Sequence, residues 1–138
     1  MNIVENLGIH SGVFTPLIQR LLQSDASLEA FHNGVLNPTK AKELAKKRAV
    51  RFSEKQRKVL VDAVKNQYQN IATTDAVAAN IKALAKPNAV TLTTGHQLNI
   101  FTGPLFFWYK ILDAINIAEQ LQKVDATHHY VPVFWMAS

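Results

Sequence analysis

Two β-type runs separated by a long apolar segment restrict the possible folds of this chain more than any other feature. The first run, residues 89–93, places valine and leucine among alanine and threonine, and the second, residues 130–136, is rich in valine and aromatic side chains. Both compositions are typical of strands. Residues 104–123 between them are long enough for a helical crossover, which joins parallel strands along a right-handed path. The pattern therefore predicts a βαβ unit of an open α/β sheet.

Pro132 lies inside the second run, and proline cannot donate a hydrogen bond to a strand ladder. We therefore expect the ordered strand to begin at or just after Pro132, as residues 133–136. Two strands are too few for an independent sheet of this type, so we expect the chain to be a fragment of a larger domain. The sequence predicts a helical segment, residues 1–88, followed by the first βαβ unit of a Rossmann-like parallel sheet, residues 89–138.

Capping signals indicate where helices begin within residues 1–88. Asn37 before Pro38 is typical of an N-cap followed by the first helical residue, and Ser53 with Gln56 matches a capping box. The predicted helices are residues 17–22, 27–32, 38–48, 54–70 and 75–85. The predicted core-facing stripe of the fourth helix is Val59, Leu60, Ala63, Val64, Gln67 and Tyr68, and that of the fifth is Val77, Ile81 and Leu84.

The helix between the two strands has an unusually wide apolar face. Its predicted polar stripe consists of Lys110, Asp113, Asn116 and Gln120, and apolar side chains fill most of the rest. Such a face belongs to a helix that packs on a sheet and on a further element. Phe134 and Trp135 are most simply read as core residues of the second strand.

Composition excludes several classes of protein. Hydrophobic residues make up 48% of the 138 residues and charged residues 18%, which are values of a globular domain with a core. The absence of cysteine excludes disulfides, thiolate metal ligands and a cysteine nucleophile from this stretch. The N-terminus lacks the pattern of a secretory signal, and the most apolar run, residues 104–109, is too short to span a bilayer. We expect a soluble, cytoplasmic protein without membrane contact.

Two features invite a metal or a nucleic acid as partner. His128 and His129 are adjacent on an extended segment, where they point to opposite faces and lack a third ligand at a supporting spacing, so we predict no metal site. Residues 40–58 contain nine lysines and arginines against two glutamates, whereas the whole chain has a net charge of +5. Such a cluster is either a solvated face of two helices or a nucleic-acid footprint. Phe52 is the single aromatic residue within this cluster, which favours the solvated face.

Residues 94–104 connect the first strand to the crossover helix, where open α/β sheets place their ligands. We expect Gly95 to end the strand and Pro104 to occupy the first turn of the helix, whose N-terminus favours an anion. The loop matches no standard phosphate-binding fingerprint. It either binds a ligand or is a connection shaped for packing, with Leu98, Ile100 and Phe101 buried beneath it. His96 at the strand tip is either a donor to a phosphate, an acid–base group or a structural residue.

Three motifs resemble a single family. They are Thr93-Thr94-Gly95-His96-Gln97, then Phe101-Thr102-Gly103-Pro104-Leu105 with Tyr109-Lys110, and finally the segment from Val131 to Ser138. With residues 15–17, 52–61 and 67–68, they resemble the amino-terminal part of the bacillithiol biosynthesis cysteine-adding enzymes, a family of cysteine ligases. The resemblance covers most of the chain.

The resemblance implies a function and a larger protein. Members of the family join cysteine to a glucosaminyl-malate, on a Rossmann-like core related to class I aminoacyl-tRNA synthetases. It also implies ATP or ADP as a nucleotide co-substrate, and a later coiled coil through which the full-length enzymes dimerise. The family continues past the tryptophan-x-alanine-serine segment with an acidic, histidine-containing motif, so we expect residues 1–138 alone to be inactive. Many members have glutamine at the position of His96.

The loop and the resemblance together define the candidate site. His96 is the candidate catalytic residue. The candidate substrate- or nucleotide-binding residues are Thr94, Gly95, Gln97, Asn99, Thr102, Gly103, Lys110 and Ser138. A different class of function on the same fold is a non-catalytic nucleotide- or anion-binding Rossmann-like domain.

Overall fold

The computed structural model describes residues 12–32, 37–101 and 103–137. Its elements, in chain order, are α1 (Pro16–Leu22), a 3₁₀ turn (Ala26–Leu28), α2 (Pro38–Ala49), α3 (Glu54–Tyr68), α4 (Asp75–Leu84), β1 (Ala89–Gln97), α5 (Leu105–Val124) and β2 (His129–Ala137). Contacts divide the chain into two compact units, residues 1–40 and 41–138. The predicted domain boundary after residue 88 stays a prediction. None of the helices described is both long and apolar enough to cross a membrane.

The first unit contains α1 and the 3₁₀ turn. Thr15 is the N-cap of α1, and the helix predicted at residues 27–32 is wrong, because only one 3₁₀ turn forms there. The carboxylate of Asp25 accepts hydrogen bonds from the Ser27 amide at 2.9 Å and from the Ser27 hydroxyl at 2.7 Å, which favours a local turn over a helix. So short a segment also gains too few hydrogen bonds to offset helix nucleation.

The second unit is a three-layer sandwich around two parallel strands. β1 and β2 pair from Ala89 opposite His129 to Gln97 opposite Ala137. Because alternate strand residues point to opposite faces, the two faces bury different sets. One face packs against α2 and α5, and its cluster consists of Ala41, Ala45, Val90, Leu92, Ile117, Ala118, Leu121 and Tyr130. The other packs against α3 and α4, and its cluster consists of Val61, Ala83, Leu84, Val131 and Val133. The predicted parallel βαβ unit is confirmed.

Both strands are longer than predicted. β2 begins at His129, and Pro132 lies within it opposite Leu92, so the expectation that the strand starts at or after Pro132 is wrong. In the described part of the chain β2 has one hydrogen-bonded neighbour, and a ladder to one neighbour needs only every second N–H group. A single proline is therefore compatible with an edge strand of this kind.

Arg57 explains why the buried face of α3 differs from the prediction. Capping by Ser53 and Gln56 is confirmed, but Val59 of the predicted stripe is 64% exposed, whereas Arg57 and Val61 are buried. The Arg57 guanidinium donates to the backbone carbonyls of Leu84 at 3.0 Å, Ala89 at 3.2 Å and Pro87 at 3.3 Å. It therefore joins α3 to the end of α4 and the start of β1, and it sets the rotation of α3.

Asp125 organises the turn between α5 and β2. Its side chain is 1% exposed and accepts hydrogen bonds from the Thr127 amide at 2.9 Å, His128 Nδ1 at 2.8 Å and the Tyr130 hydroxyl at 2.8 Å. Burial opposes ionisation, but the hydrogen bonds from Thr127, His128 and Tyr130 outweigh it and hold the pKa of Asp125 below its ordinary value. Burial and this carboxylate raise the pKa of Tyr130. Lys42 of α2 lies 3.9 Å from the Asp125 carboxylate.

We expect Arg57→Met to lower the free energy of unfolding by about 3 kcal/mol, because three backbone carbonyls lose a charged donor in a buried position. Arg51→Met is the matched control, since Arg51 is exposed and its loss should change stability by less than about 0.5 kcal/mol. Urea denaturation followed by circular dichroism measures both. Equal losses in the two variants would show that the buried guanidinium does not hold α3, α4 and β1 together.

We expect Asp125→Asn to destabilise the protein by about 2–3 kcal/mol at pH 7, because an amide cannot accept all the hydrogen bonds that the carboxylate receives. The folded-state pKa of Asp125 lies below its unfolded value of about 3.9, so this stabilisation is present above that pH and is lost as the pH falls below it. The gap between wild type and Asp125→Asn should therefore narrow from about pH 5 downward. Asp113→Asn, on the exposed side of α5, is the control, and its free energy of unfolding should equal that of the wild type.

Candidate functional site

The carboxyl ends of β1 and β2 form one edge of the sheet. Gly95 lies opposite Trp135, His96 opposite Met136 and Gln97 opposite Ala137. The structure thus brings the predicted loop and the end of the second strand together. Thr102 and Ser138, two of the predicted binding residues, lie outside the described residues.

Gly95 is required by a close approach between the two strands. A Cβ atom added to it would lie 2.7 Å from the Trp135 carbonyl oxygen and 3.1 Å from Trp135 Cβ. The expectation that Gly95 ends the strand is wrong, since β1 continues through Gln97. Its role is to let the strands approach at the edge where the loop begins.

The loop after β1 folds back on itself through Gly103. The Gly103 amide donates to the Ile100 carbonyl at 3.2 Å, and the φ angles of Phe101 and Gly103 are +52° and +67°. A Cβ on Gly103 would also meet Asn99 Cβ at 2.9 Å. Gly103 is thus restricted both by its backbone conformation and by the side chain that it touches.

The side chains of the loop do not form a buried layer. Leu98, Ile100 and Phe101 are all exposed, Phe101 by 95%. The alternative in which the loop is a connection packed over these three residues is therefore wrong. Their exposure, together with a backbone held by its glycines, is compatible with a loop that binds a ligand.

His96 is half-buried at the strand tip, and α5 holds its ring. The ring centroid lies 5.1 Å from that of Phe106 and 6.1 Å from that of Phe107. Asn99 Nδ2 lies 2.8 Å from His96 Nδ1 and donates to the Gln97 carbonyl at 2.9 Å. The two phenylalanines and Asn99 therefore fix His96 at the edge of the sheet, and the sequence pattern did not assign that role to the phenylalanines.

Lys110 reaches the same edge from the second turn of α5. Its ammonium donates to the Gly95 carbonyl, and the side chain is half-buried on the sheet side of the helix. Asp113, Asn116 and Gln120, with which it was grouped in a polar stripe, are exposed instead. Lys110 thus brings a positive charge next to the loop while supporting the tip of β1.

The N-terminus of α5 begins at the same edge. Pro104 is the N-cap and not a residue of the first turn, and it supplies no capping side chain. The first-turn amides of α5 thus lack a side-chain acceptor from the cap residue. Amides in this position and the helix dipole together favour an anion.

Apolar side chains surround the edge. Trp135, expected in the core, is 66% exposed because it lies in the last residues of β2, beyond the packed helices. Phe134 instead makes an edge-to-face contact with Phe107, with the ring centroids 5.0 Å apart. The outer stripe of α5 is also exposed, and its members are Leu105, Trp108, Leu112 and Ile115. The predicted second packing face of α5 is thus uncovered within the part of the chain that the structure describes.

His128 and His129 lie at the opposite end of the sheet and contact different residues. His128 is bound to Asp125, and His129 Nε2 lies 2.9 Å from the Lys86 ammonium. Asp125 was not among the predicted residues, although an aspartate two residues before a threonine at a helix end is a recognisable turn signal. Its contacts stabilise the turn and are remote from the loop.

A parallel sheet between helical layers, with a glycine-restricted loop at the carboxyl edge of its strands, defines a Rossmann-like α/β domain. The chain belongs to the family described as bacillithiol biosynthesis BshC, N-terminal Rossmann-like domain, whose sequence profile matches residues 3–138. The parallel strands and the helices on both of their faces agree with that family.

Three relatives give the extent of the similarity. Proteins named "Putative cysteine ligase BshC" from Flavobacterium johnsoniae, Flavobacterium psychrophilum and Christiangramia forsetii are 40%, 37% and 36% identical to this chain. The matches cover 93%, 93% and 91% of this chain, but only 24%, 24% and 23% of the relatives. The chain thus spans about a quarter of the length of these relatives.

We expect Gly103→Ala to lower the free energy of unfolding by about 2–4 kcal/mol, because the left-handed backbone costs about 1–2 kcal/mol and the contact with Asn99 adds overpacking. Gly12→Ala is the matched control: its φ is +76°, but no atom lies within 4 Å of the added Cβ. It should cost only the backbone contribution of about 1–2 kcal/mol. Urea denaturation measures both losses. Equal losses of unfolding free energy in the two variants would show that the contact with Asn99 does not contribute to the destabilisation.

We expect Gly95→Ala to destabilise by about 1–3 kcal/mol, since the new Cβ meets the Trp135 backbone, which cannot rotate away. His96→Gln should cost less than about 1 kcal/mol, because His96 is only half-buried and glutamine retains a polar group there. The same denaturation series compares the two. A larger loss of unfolding free energy in His96→Gln would show that His96 contributes more than Gly95 to the stability of this edge.

Proposed function

We propose that this chain is the N-terminal part of a ligase that adds cysteine to a glucosaminyl-malate in bacillithiol biosynthesis. The observation that carries the proposal is the match of residues 3–138 to the family's Rossmann-like domain, with relatives whose printed name is that of a cysteine ligase. The loop at the carboxyl edge is the part of the described chain best suited to bind the substrates. We further propose a cytoplasmic enzyme that dimerises through a later coiled coil.

The chemistry of the loop supports substrates rich in negatively charged oxygens. Lys110, His96 and the N-terminus of α5 all lie along the carboxyl edge. Malate carboxylates and nucleotide phosphates are oxygen anions, and such anions are stabilised by ammonium groups, imidazole N–H groups and helix N-termini. We propose ATP or ADP as the nucleotide co-substrate. The proposed contact residues are Thr94, Gly95, His96, Gln97, Asn99, Thr102, Gly103, Lys110 and Ser138.

The magnitude of these contacts supports a site that this chain shares with the rest of a longer protein. A helix N-terminus contributes about 0.3–1 kcal/mol to an anion, or up to about 2 kcal/mol when partly buried. Two or three charge-assisted hydrogen bonds add about 1.5–3 kcal/mol each. Association costs about 4–15 kcal/mol, and millimolar binding already needs about 4 kcal/mol net. We therefore propose that residues 1–138 alone neither bind tightly nor turn over.

We expect titration calorimetry on residues 1–138 to detect no binding of ATP, ADP or cysteine tighter than about 1 mM, because the loop supplies too few contacts. A full-length relative, titrated in the same buffer, is the positive control and should bind its nucleotide more tightly. Micromolar nucleotide binding by residues 1–138 alone would favour the non-catalytic nucleotide-binding domain as the function of this fold.

A further inference from the structure

The backbone groups of each strand divide between the paired side and an outer edge. In a parallel ladder the N–H and C=O groups of one residue point to the same side of the strand, and those of the next residue point to the opposite side. The His129 amide donates to the Asn88 carbonyl at 3.1 Å. The odd-numbered residues of β2 therefore face β1, whereas the odd-numbered residues of β1 and the even-numbered residues of β2 face outward.

The outer edge of β2 is closed along the first half of the strand. The Gln122 side chain accepts from the Tyr130 amide at 3.3 Å and donates to the His128 carbonyl at 3.0 Å. Pro132 is the next outward residue, and it has no N–H group to donate. Natural sheets protect a free edge with devices of this kind. The outer edge of β2 thus offers a complete set of backbone groups only from Phe134 onward.

The outer edge of β1 is open in the middle of the strand. Arg57 donates to the Ala89 carbonyl at 3.2 Å, and the Lys110 ammonium donates to the Gly95 carbonyl, so side chains occupy the two ends of this edge. Between these ends, the outward N–H and C=O groups of residues 91–93 have no hydrogen-bond partner in the described part of the chain. The open stretch therefore lies where β1 is paired with β2 on its other side.

This open stretch also lacks protection by its sequence. Residues 89–97 contain no proline, lysine, arginine, aspartate or glutamate, although prolines and charged side chains are what commonly prevent pairing at an edge. Their valine, leucine and threonine residues favour strand pairing instead. Thr91 and Thr93 are both exposed. An unprotected edge with free backbone groups is a template for another strand.

We propose that the outer edge of β1 pairs with a further strand from the part of the longer protein outside residues 1–138. The matched regions make up only 24%, 24% and 23% of the three relatives, so the same polypeptide has ample length for such a strand. β1 is then an interior strand, and the added strand borders the loop after β1 beside Lys110. The pairing uses the outward amides of β1, which are those of Thr91, Thr93 and Gly95. It rests on the proposed function only in that this chain is part of a longer protein.

Hydrogen–deuterium exchange of the full-length protein, with fragmentation that resolves single amides, tests the pairing. The outward amides of β1 should exchange at least about 100-fold more slowly there than in residues 1–138. The amides of Leu92 and Thr94 face β2 and are the internal control, since they should be protected in both chains. Outward amides of β1 that exchange equally fast in both chains, relative to this control, would overturn the proposal.

Two other exchange patterns would assign the edge differently. Slow exchange in the full-length protein at Phe134 and Met136, with fast exchange at the outward amides of β1, would place the added strand on β2. Protection of the outward amides of β1 already in residues 1–138, rising with protein concentration, would make the occupant a second copy of the chain. Either pattern would overturn the proposal.

A proline variant tests the same pairing from the side of the donor. Thr93→Pro removes one outward N–H group and leaves the ladder to β2 intact, so in the full-length protein the Thr91 and Gly95 amides should return to the exchange rates measured in residues 1–138. Thr93→Ala retains the N–H group and is the matched control, which should keep the protection. Equal protection in the two variants would contradict the pairing. Exchange does not depend on ligase activity, so a full-length protein without that activity would contradict the proposed function alone.

Discussion

The parallel pairing of β1 with β2 is the constraint on which the rest of the second unit depends. Its register brings the carboxyl ends of both strands to one edge and lets α5 cross over a single face. It also leaves the opposite face for α3 and α4. The close approach of Gly95 to Trp135 maintains this register up to the edge, so the packing of the core and the position of the loop have a common origin.

Much of this architecture could be predicted because it follows from local signals. The capping box at Ser53 and the cap at Asn37 indicate helix starts directly, and the βαβ pattern requires parallel strands. The rotation of α3 could not be predicted, since it depends on Arg57 reaching carbonyls about thirty residues further along the chain. A charged residue that is buried through distant backbone partners has the same sequence signature as a solvated one.

For the candidate site, too, some features could be predicted from the sequence and others could not. The glycines of the loop and the lysine of α5 were identified from their positions next to a strand tip and a helix start. What those residues contact could not be predicted: Gly95 is required by Trp135, Gly103 by Asn99, and Lys110 binds the Gly95 carbonyl. These contacts join residues from separate elements, so they become visible only when the strands are paired.

The exposure of both tryptophans affects how this protein would behave in a fluorimeter. Trp108 lies on the uncovered stripe of α5 and Trp135 at the carboxyl edge, and the sequence contains no other tryptophan. Indole emission depends on the polarity around the ring, so the folded chain should already emit at long wavelength, close to an unfolded one. Intrinsic fluorescence is thus a poor reporter of global unfolding here. A shift of the emission to shorter wavelength would instead signal that another surface has covered one or both indole rings.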